Sequence, residues 1–525
     1  MASERICFRV RLYFSGGLLS RAAGGIRFGL DQAMLRAHGN HSPALPGSLI
    51  KGNLRHAWQA LDRAGHQEIG KYLLQLLGPP PIIEDETPKS AEAGDTSRAA
   101  SDQRGALLFD DLWLAEGGTK ETIRHRIRID EETGAVKRGA LLMSERIEPA
   151  SEQSLCFTGR IELGAPVEIE TKKLEKWIAN GLAYTQALGA HKGIGWGALE
   201  KVEVETETET MPALPTTSTS SSAGPHERLG LALEFDRPFC IPHPKGNENT
   251  IYSREVIPGN VIKGALATSF DRCWGQGWRK YQQQFDALRV SHAFPSNRDT
   301  PIRPLALPHG LALGEDGILY GIGATEPPED ALPLRFLTDW KARELGELRD
   351  KLNWPDLGRD LRVHNRIDPT TGATPEDALY TVESIRPDNR RWLLNFNMPD
   401  GQDLAWLADL LEALDEAGAH PLYPIGRTKA RAALVRESNG YHTHGAVHTP
   451  PPLRDDDEIT ILLQTPARLL DLEEVHDIPS TAGQDALCKH YANSWRTMTK
   501  QPPAKAGGFV LRTESPDTRR LNDAF

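Results

Sequence analysis

The sequence predicts an α+β chain built from two tandem ferredoxin-like units. Two observations carry that reading: three phrases recur in the same order on either side of residue 225, and the first copy reads as β-α-β-β-α-β with an inserted hairpin. "LPGSLIKG" at 45–52 returns as "IPGNVIKG" at 257–264, and "RIDEETGAVKRGALLMSERIEP" at 128–149 returns as "RIDPTTGATPEDALYTVESIRP" at 366–387. "IGWGALEKVEVE" at 194–205 has a looser partner in "IGRTKARAALVRE" at 425–437. The separations drift from pair to pair, as they do when diverged copies carry different insertions. The expected division is a first domain at 1–205 with a flexible insertion at 79–105, a linker at 206–225 and a second domain at 226–440 with a large insertion. A C-terminal extension at 441–525 begins like another first strand in "DDDEITILLQ" and stops short of a whole domain. The segments 79–105 and 206–225 are rich in Pro, Ser, Thr and acid and poor in large apolar residues, so they cannot offset the entropy of ordering.

The elements follow in order. "RICFRVRLYF" alternates Ile6, Phe8, Val10, Leu12 and Phe14, the pattern of a half-buried strand. A glycine-rich loop follows, and Pro46-Gly47-Ser48 then supplies a turn and a Ser48 N-cap to a helix with Ile50, Leu54, Trp58 and Leu61 on one stripe. "ALLFDDLWL" reads as one strand, 123–143 as a long hairpin turning near "EETGAVKRG", "SLCFTGRIEL" as a strand, 171–187 as a second helix and "ALEKVEVE" as the last strand.

The totals exclude several classes. At 525 residues and 58.0 kDa the chain is too long for one core. It has no long apolar run, so neither a membrane span nor a signal-peptide core is expected, and the expected location is the cytoplasm. Cys7, Cys156, Cys240, Cys273 and Cys488 lie far apart without a C-x-x-C pair, which signals buried thiols rather than disulfides or a zinc site. The net charge of -11 leaves room for a nucleic-acid partner only through a local basic channel.

Chemistry concentrates at the recurring helix start. "GSLIKGNLR" is not a nucleotide-triphosphate loop, since Lys51 precedes Gly52 and Asn53 follows it. Lys51 and Arg55 are four apart and share a helix face, either solvating it or facing an anion that also meets the free N–H groups of Gly47 and Ser48. Recurrence favours the anion. The second copy keeps Asn260 as cap and Lys263, with Ala267 in place of Arg55. The turn "GAHKGIGWG" places His191, Lys192 and Trp196 among four glycines, which permits backbone approach to a phosphate or simply enters a strand. The hairpin offers Arg126 and Arg128, and the second copy offers Arg366, Arg427 and Lys429 as further cations.

With these pieces in order, the sequence resembles the RAMP superfamily, specifically the backbone subunits of type III CRISPR effector complexes. The resemblance is carried by "GGIRFGLDQAMLRAHGNHSPALPGSLIKGNLR", "LLQLLGPP", "LLFDDLWL", the 128–149 phrase and "HKGIGWGALEKV". It implies an RRM-like palm, a thumb hairpin pushing into a guide–target duplex, and lysine and arginine contacts to a crRNA guide, with target RNA and other effector subunits as partners. In that family an aspartate between the first strand and the P-G-S helix promotes target-RNA cleavage with Mg2+ or Mn2+, and Asp31, fifteen residues before Pro46, matches it. Cleavage by the neighbouring ribose 2'-hydroxyl needs proton removal and charge stabilisation, which one carboxylate near a hydrated metal can supply. The second copy has His243 at the matching distance, with Asp236 earlier and Glu248 later, and no cleavage is expected there. The proline-rich run at 292–314 resembles the large capping subunit of type III-D effectors. Two alternatives stay open: a non-catalytic capping or scaffold subunit, and a stand-alone guide-processing endoribonuclease using His38, His41 or His191.

Overall fold

The computed structural model describes residues 4–22, 29–37, 41–79, 105–151, 154–165, 167–215, 228–243, 249–305, 311–321, 328, 332–336, 345–365, 379–399, 403–416 and 422–437. The chain forms two compact units, one of residues 1–301 with 356–441 and one of 302–355 with 442–525.

The first unit begins with β1 (Glu4–Phe14), β2 (Ala44–Pro46), α1 (Gly47–Arg63) and α2 (Gln67–Leu77). It continues through β3 (Leu107–Phe109), β4 (Leu112–Glu116), β5 (Thr119–Arg126), β6 (Leu142–Pro149), β7 (Leu155–Leu163), α3 (Thr171–Tyr184) and β8 (Leu199–Thr210). The sheet order is β2-β4-β7-β1-β8, with β3 also on β7, and every pair is antiparallel. The alternation of β1 sends Phe8, Val10, Leu12 and Phe14 into a core with Ile50, Leu54 and Trp58 of α1 and Leu174, Ile178 and Leu182 of α3. Burying one face of the sheet under two helices removes both apolar faces from water at once.

The residues from 228 onward form further mixed sheets and helices. β9 (Arg228–Phe235), β10 (Thr250–Ile251), α4 (Gly259–Trp274), α5 (Gln282–Ala287), β11 (Arg289–Val290) and β12 (Phe294–Asn297) come first. After the second unit's segment come β16 (Arg359–Asn365), β17 (Leu379–Ile385), β18 (Arg390–Asn397), α7 (Ala405–Glu416), β19 (Leu422–Ile425) and β20 (Ala430–Glu437). The order β11-β18-β9-β20-β19, with β12 on β18, places the first, third and last long strands as β1, β7 and β8 are placed. Its core joins Leu231 and Leu233 to Ile262, Leu266 and Phe270 of α4 and Leu407, Leu410 and Leu414 of α7. A separate sheet, β10-β17-β16, stands where β5 and β6 stand in the first half. The second unit's described residues hold β13 (Leu311–Leu313) between β14 (Leu319–Gly321) and β15 (Arg335–Phe336), and α6 (Gly346–Lys351). Trp354 Nε1 donates there to the Leu305 carbonyl.

Several expectations are corrected. Neither Ser48 nor Asn260 holds the cap position: α1 and α4 start at the glycines, with Pro46 and Pro258 extended in that position, and Asn260 instead accepts the Val261 N–H at 2.9 Å from inside the first turn of α4. The reason is close packing. The Gly47 N–H donates to the Asp111 carbonyl at 2.7 Å, and a Cβ on Gly47 would lie 1.8 Å from the Asp110 oxygen. At Gly259 a Cβ would lie 2.2 Å from the Val290 oxygen, so Val290–Ser291 press on α4 as Asp110–Asp111 press on α1. "ALLFDDLWL" is two strands, not one, because Asp110 and Asp111 turn the chain toward other partners. β8 runs to Thr210, past the expected boundary at 205, since its Thr–Glu alternation continues the ladder to Glu4. "FPSN" within the expected insertion is β12, paired to β18. The segments 80–104, 216–227 and 438–525, and with them Cys488, lie outside the described residues. Cys7, Cys156, Cys240 and Cys273 are free and buried. Among the described residues no helix is long and apolar enough to cross a membrane.

Candidate nucleic-acid interface

Two cation clusters lie at the ends of the recurring motifs. The first surrounds the glycine-rich turn. His191 has φ +60° and starts a 3-10 turn at Lys192–Ile194, which lifts its ring toward the loop holding Asp31 and toward β5. Arg126 Nη1 donates to His191 Nδ1 at 2.9 Å, and Nε2 on the other side bonds Gln32 Oε1 at 2.7 Å, where Ser144 Oγ also donates. An arginine has no acceptor, so Nδ1 must be bare and the proton sits on Nε2, giving a neutral imidazole. Burial, then the charges of Arg126 and Arg21, hold the His191 pKa below its usual value, which agrees with that tautomer. Trp196 is buried edge-on to His191 at 5.0 Å, with the Arg146 guanidinium 5.4 Å from its ring centre. Lys192 and Arg128 are exposed, and burial of the Lys192 stem lowers its pKa.

Asp31 borders this cluster. Its Oδ2 accepts the Met143 N–H at 2.7 Å, and its own N–H donates to the Met143 carbonyl at 3.0 Å, so the residue clips its loop to β6. Oδ1 has no partner among the described residues, and the side chain is exposed. Among the described residues no group of three or more His, Cys, Asp or Glu is placed to hold a metal ion. One carboxylate with an unspent oxygen suits only a Mg2+ or Mn2+ that keeps most of its waters, not a closed protein cage. In the second half Asp236 is spent on the Arg431 N–H at 2.9 Å and on Arg237. Glu248 and His38 lie outside the described residues; His41 gives its carbonyl to Arg36.

The second cluster lies where the halves meet. Lys51, one turn into α1, is half-buried and lies within the electrostatic reach of Lys429 in the β19–β20 turn and of Arg55. Burial first, then Lys429 and Arg55, push the Lys51 pKa down to about 8. No carboxylate pairs with Lys51 among the described residues. Arg427, two residues before Lys429, is exposed. The expected partnership of Lys51 with Arg55 is corrected: Arg55 Nη2 donates to the Leu77 and Gly78 carbonyls at 2.7 and 2.9 Å, closing the end of α2. Lys263 does the same work in the second half, donating to the Asp286 and Leu288 carbonyls at 2.9 Å each. Arg366 lies outside the described residues.

Sequence reasoning missed the seam that fixes this second cluster. Asp110, Asp111 and Glu162 of the first half meet Arg237, Arg362, Arg272 and Arg431 of the second. Glu162 and Arg272 are almost fully buried, and both Arg272 and Arg431 lie over the Tyr423 ring. The signal was two consecutive acids inside an apolar strand phrase, "LLFDDLWL". The sheet face opposite the helices is occupied differently. Arg5, Arg9, Arg11 and Arg160 pair with Glu205, Glu207 and Glu209 of β8 at 2.5–3.4 Å. Tyr13, the one aromatic of β1 on that face, gives its hydroxyl to Glu203. A face laced in this way presents no row of open rings to bases, so cations elsewhere must carry any nucleic-acid contact.

Comparison with known proteins finds no match among curated proteins. Among solved structures, one chain of "Cryo-EM structure of the Type III-B Cmr-beta bound to cognate target RNA" is similar at 15% identity, with a TM-score of 0.26. That similarity covers 38% of this chain and 60% of the other, so it spans about three fifths of that relative. Two family descriptions match separate parts of the sequence: the RAMP superfamily over residues 23–200, and "CRISPR-associated protein (Cas_Cmr3)" over residues 332–493. The first half of the sequence is therefore similar to the RAMP superfamily, and the later segment is similar to a CRISPR-associated family.

Proposed function

We propose that the chain is a guide-RNA-binding backbone subunit of a type III CRISPR ribonucleoprotein, made of two tandem RAMP domains with β5–β6 and β16–β17 as their thumb hairpins. The observation that carries this reading is Lys51 at the recurring helix start, half-buried and without a carboxylate partner among the described residues, its charge disfavoured first by burial and then by Lys429 and Arg55. Holding a lysine charge in a half-buried place is unfavourable, and a polyanion at that helix start would offset the cost. The crRNA guide is that polyanion, target RNA pairs with it, and other effector subunits cover the remaining surface, which reconciles a basic groove with a net charge of -11. The cytoplasm is the place where such a complex acts. Purification of the chain with its partner subunits should bring down a short RNA, and Lys51→Glu should weaken RNA binding and flatten its salt dependence by about one phosphate contact. RNA affinity and salt slope unchanged in Lys51→Glu would sink the reading.

The first half would also cut target RNA at Asp31. Mg2+ or Mn2+ held through Asp31 would supply positive charge at the scissile phosphate. Around it, Arg126 and Lys192 would hold the flanking phosphates, a role supported by the bonds from Arg126 to His191 and from His191 to Gln32 that tie them to the loop holding Asp31. In the assembled complex Asp31→Ala should abolish one metal-dependent cut, which leaves a 2',3'-cyclic phosphate and a 5'-hydroxyl, and keep target binding nearly intact. A non-catalytic scaffold is the second reading, favoured by the clip between Asp31 and Met143, which by itself accounts for the aspartate. An unaltered complex that makes no cut assignable to this subunit would decide for it. The third alternative, a histidine-based nuclease acting alone, draws no support from His191, whose two nitrogens are both engaged.

A further inference from the structure

The hairpin β5–β6 forms a two-stranded sheet of its own, and β5 is exposed along most of its length, so its direction has to be set at its base, near the bridge of Ile147 to Leu18. There a buried carboxylate joins three segments. The Glu145 side chain of β6 is 1% exposed; its Oε2 accepts the Met34 N–H at 2.7 Å, its Oε1 pairs with Arg36, and its backbone N–H donates to the Gln32 carbonyl at 2.8 Å. Arg36 Nη2 also reaches Glu121 of β5 at 2.8 Å, and its Nη1 donates to the His41 carbonyl at 3.1 Å. Asp31 and Gln32 are bonded to Met143, two residues before Glu145. The segment 31–36 is therefore pinned to β6 at both ends.

The hairpin β16–β17 carries the same three charges on different elements. Glu383 of β17 holds the place in the phrase 366–387 that Glu145 holds in 128–149. Arg359 of β16 bonds Glu383 through one nitrogen and Glu255, in the loop that leads to α4, through another. The side chains of Glu255 and Glu383 are both buried. In each hairpin one arginine lies between two glutamates, but it comes from the loop in the first and from the hairpin's own strand in the second. What recurs is the tie between loop and hairpin, not the position of its cation. Arginine suits the centre because its planar fork of N–H donors engages two carboxylates at once and fixes their directions. Out of water such a tie resists opening, since either partner left alone would be an uncompensated buried charge.

We infer that Arg36 is a positioning residue: acting through Glu145, it locks the segment 31–36 and the hairpin β5–β6 into one rigid lever, so that Asp31 keeps a fixed place relative to Arg126 on β5. The positioning role rests on the reading of Asp31 as a cleavage residue, whereas the lock is a property of the chain alone. Arg359 locks the second hairpin in the same way and has no such aspartate to place, because Asp236 is spent on the Arg431 N–H and on Arg237. Loss of the first lock therefore reaches the chemistry, and loss of the second does not.

The test uses the assembled complex with a guide and a complementary target RNA, and two measurements. Arg36→Met, and the double variant Arg36→Met with Glu145→Gln, which leaves no lone carboxylate buried at the base, should slow the cut assigned to Asp31 by about 10- to 100-fold at saturating target and leave target affinity within about twofold. Both should raise the Mg2+ concentration needed for half-maximal cutting. Arg36→Lys, which still pairs with Glu145, should recover part of the rate, and Arg359→Met should leave the cut unchanged. Hydrogen exchange gives a readout that needs no cleavage: the Asp31 and Met34 amides should exchange about tenfold faster or more in the double variant, with the amides in the middle of β1 unchanged. Unchanged exchange at Met34 overturns the lock. Faster exchange with an undiminished cut overturns the positioning role and leaves the cleavage reading standing. An unaltered complex that makes no cut removes the cleavage reading and the positioning role with it, and the exchange rates still decide the lock.

Discussion

Arg362 and Asp111, 251 residues apart in the chain, meet with Nη1 2.5 Å from Oδ2, so a strand of the second half is tied to the corner that starts α1 in the first. Both side chains are mostly out of water. Removing one partner leaves the other charge desolvated and uncompensated, which costs roughly 3 kcal/mol, whereas removing both costs less. Urea unfolding of Arg362→Met, Asp111→Leu and the double variant should give a double loss smaller than the sum of the singles; strict additivity would show that the two groups are not coupled.

Lys51 gives a pH signature with two opposite signs. Its pKa falls to about 8 in the folded chain, below the unfolded lysine value near 10.4, so the unfolded chain binds more protons between those limits. Stability contributed at this site therefore rises as pH increases from about 8 toward 10, while the penalty is fully present below 8. RNA affinity should move the other way and fall through the same window, because a neutral amine no longer attracts phosphate. Lys51→Met should be more stable than the unaltered chain at pH 7 and bind RNA less well, and both pH dependences should flatten. Parallel titrations of melting temperature and RNA affinity would check this.

His191 should titrate below the usual imidazole range, since burial, Arg126 and Arg21 all disfavour the cation. A depressed histidine contributes stability above its unfolded pKa near 6.5 and loses it as pH falls through the folded value. Nitrogen-detected NMR should find the proton on Nε2, and Arg126→Met should raise the pKa. A proton on Nδ1 at neutral pH would contradict the bond from Arg126.

Glycines in the repeated phrase divide into two kinds. Gly47→Ala and Gly259→Ala place a Cβ against backbone oxygen at 1.8 and 2.2 Å and should each cost about 1–3 kcal/mol or more. Gly52→Ala and Gly264→Ala meet nothing within 4 Å inside α1 and α4 and should stabilise by about 0.5–1 kcal/mol each. Thermal unfolding of the four variants would separate them, and equal effects at Gly47 and Gly52 would refute the packing argument.

These residues also show how far the sequence could be read. The alternation of Phe8, Val10, Leu12 and Phe14 and the stripe of Ile50, Leu54 and Trp58 were legible because burial follows the period of the element. The partners of Lys51, Arg55 and Lys263 were not. All three sit on the same helical faces in sequence, but Arg55 and Lys263 are consumed by carbonyls of helices that fold back on α1 and α4, and that return is a tertiary fact. The Ser48 cap failed for a related reason: the first N–H of α1 is taken by Asp111, from a strand that sequence reading ran straight through. Gln32 and Arg146, which hold the turn at 191–197, carried no local pattern at all.

The joint between the halves is made of unlike surfaces, an acidic corner on one side and arginines on the other, and such a joint has a direction. The counterpart of that corner in the second half is Val290–Ser291, set against Gly259 as Asp110–Asp111 are set against Gly47, and it carries no charge. A third unit bearing the same arginines would find nothing there to neutralise them. Docking by this chemistry therefore stops after one step, and the order of the two halves reads as a polarity, with a charged socket already filled and a neutral end that ionic attraction cannot extend.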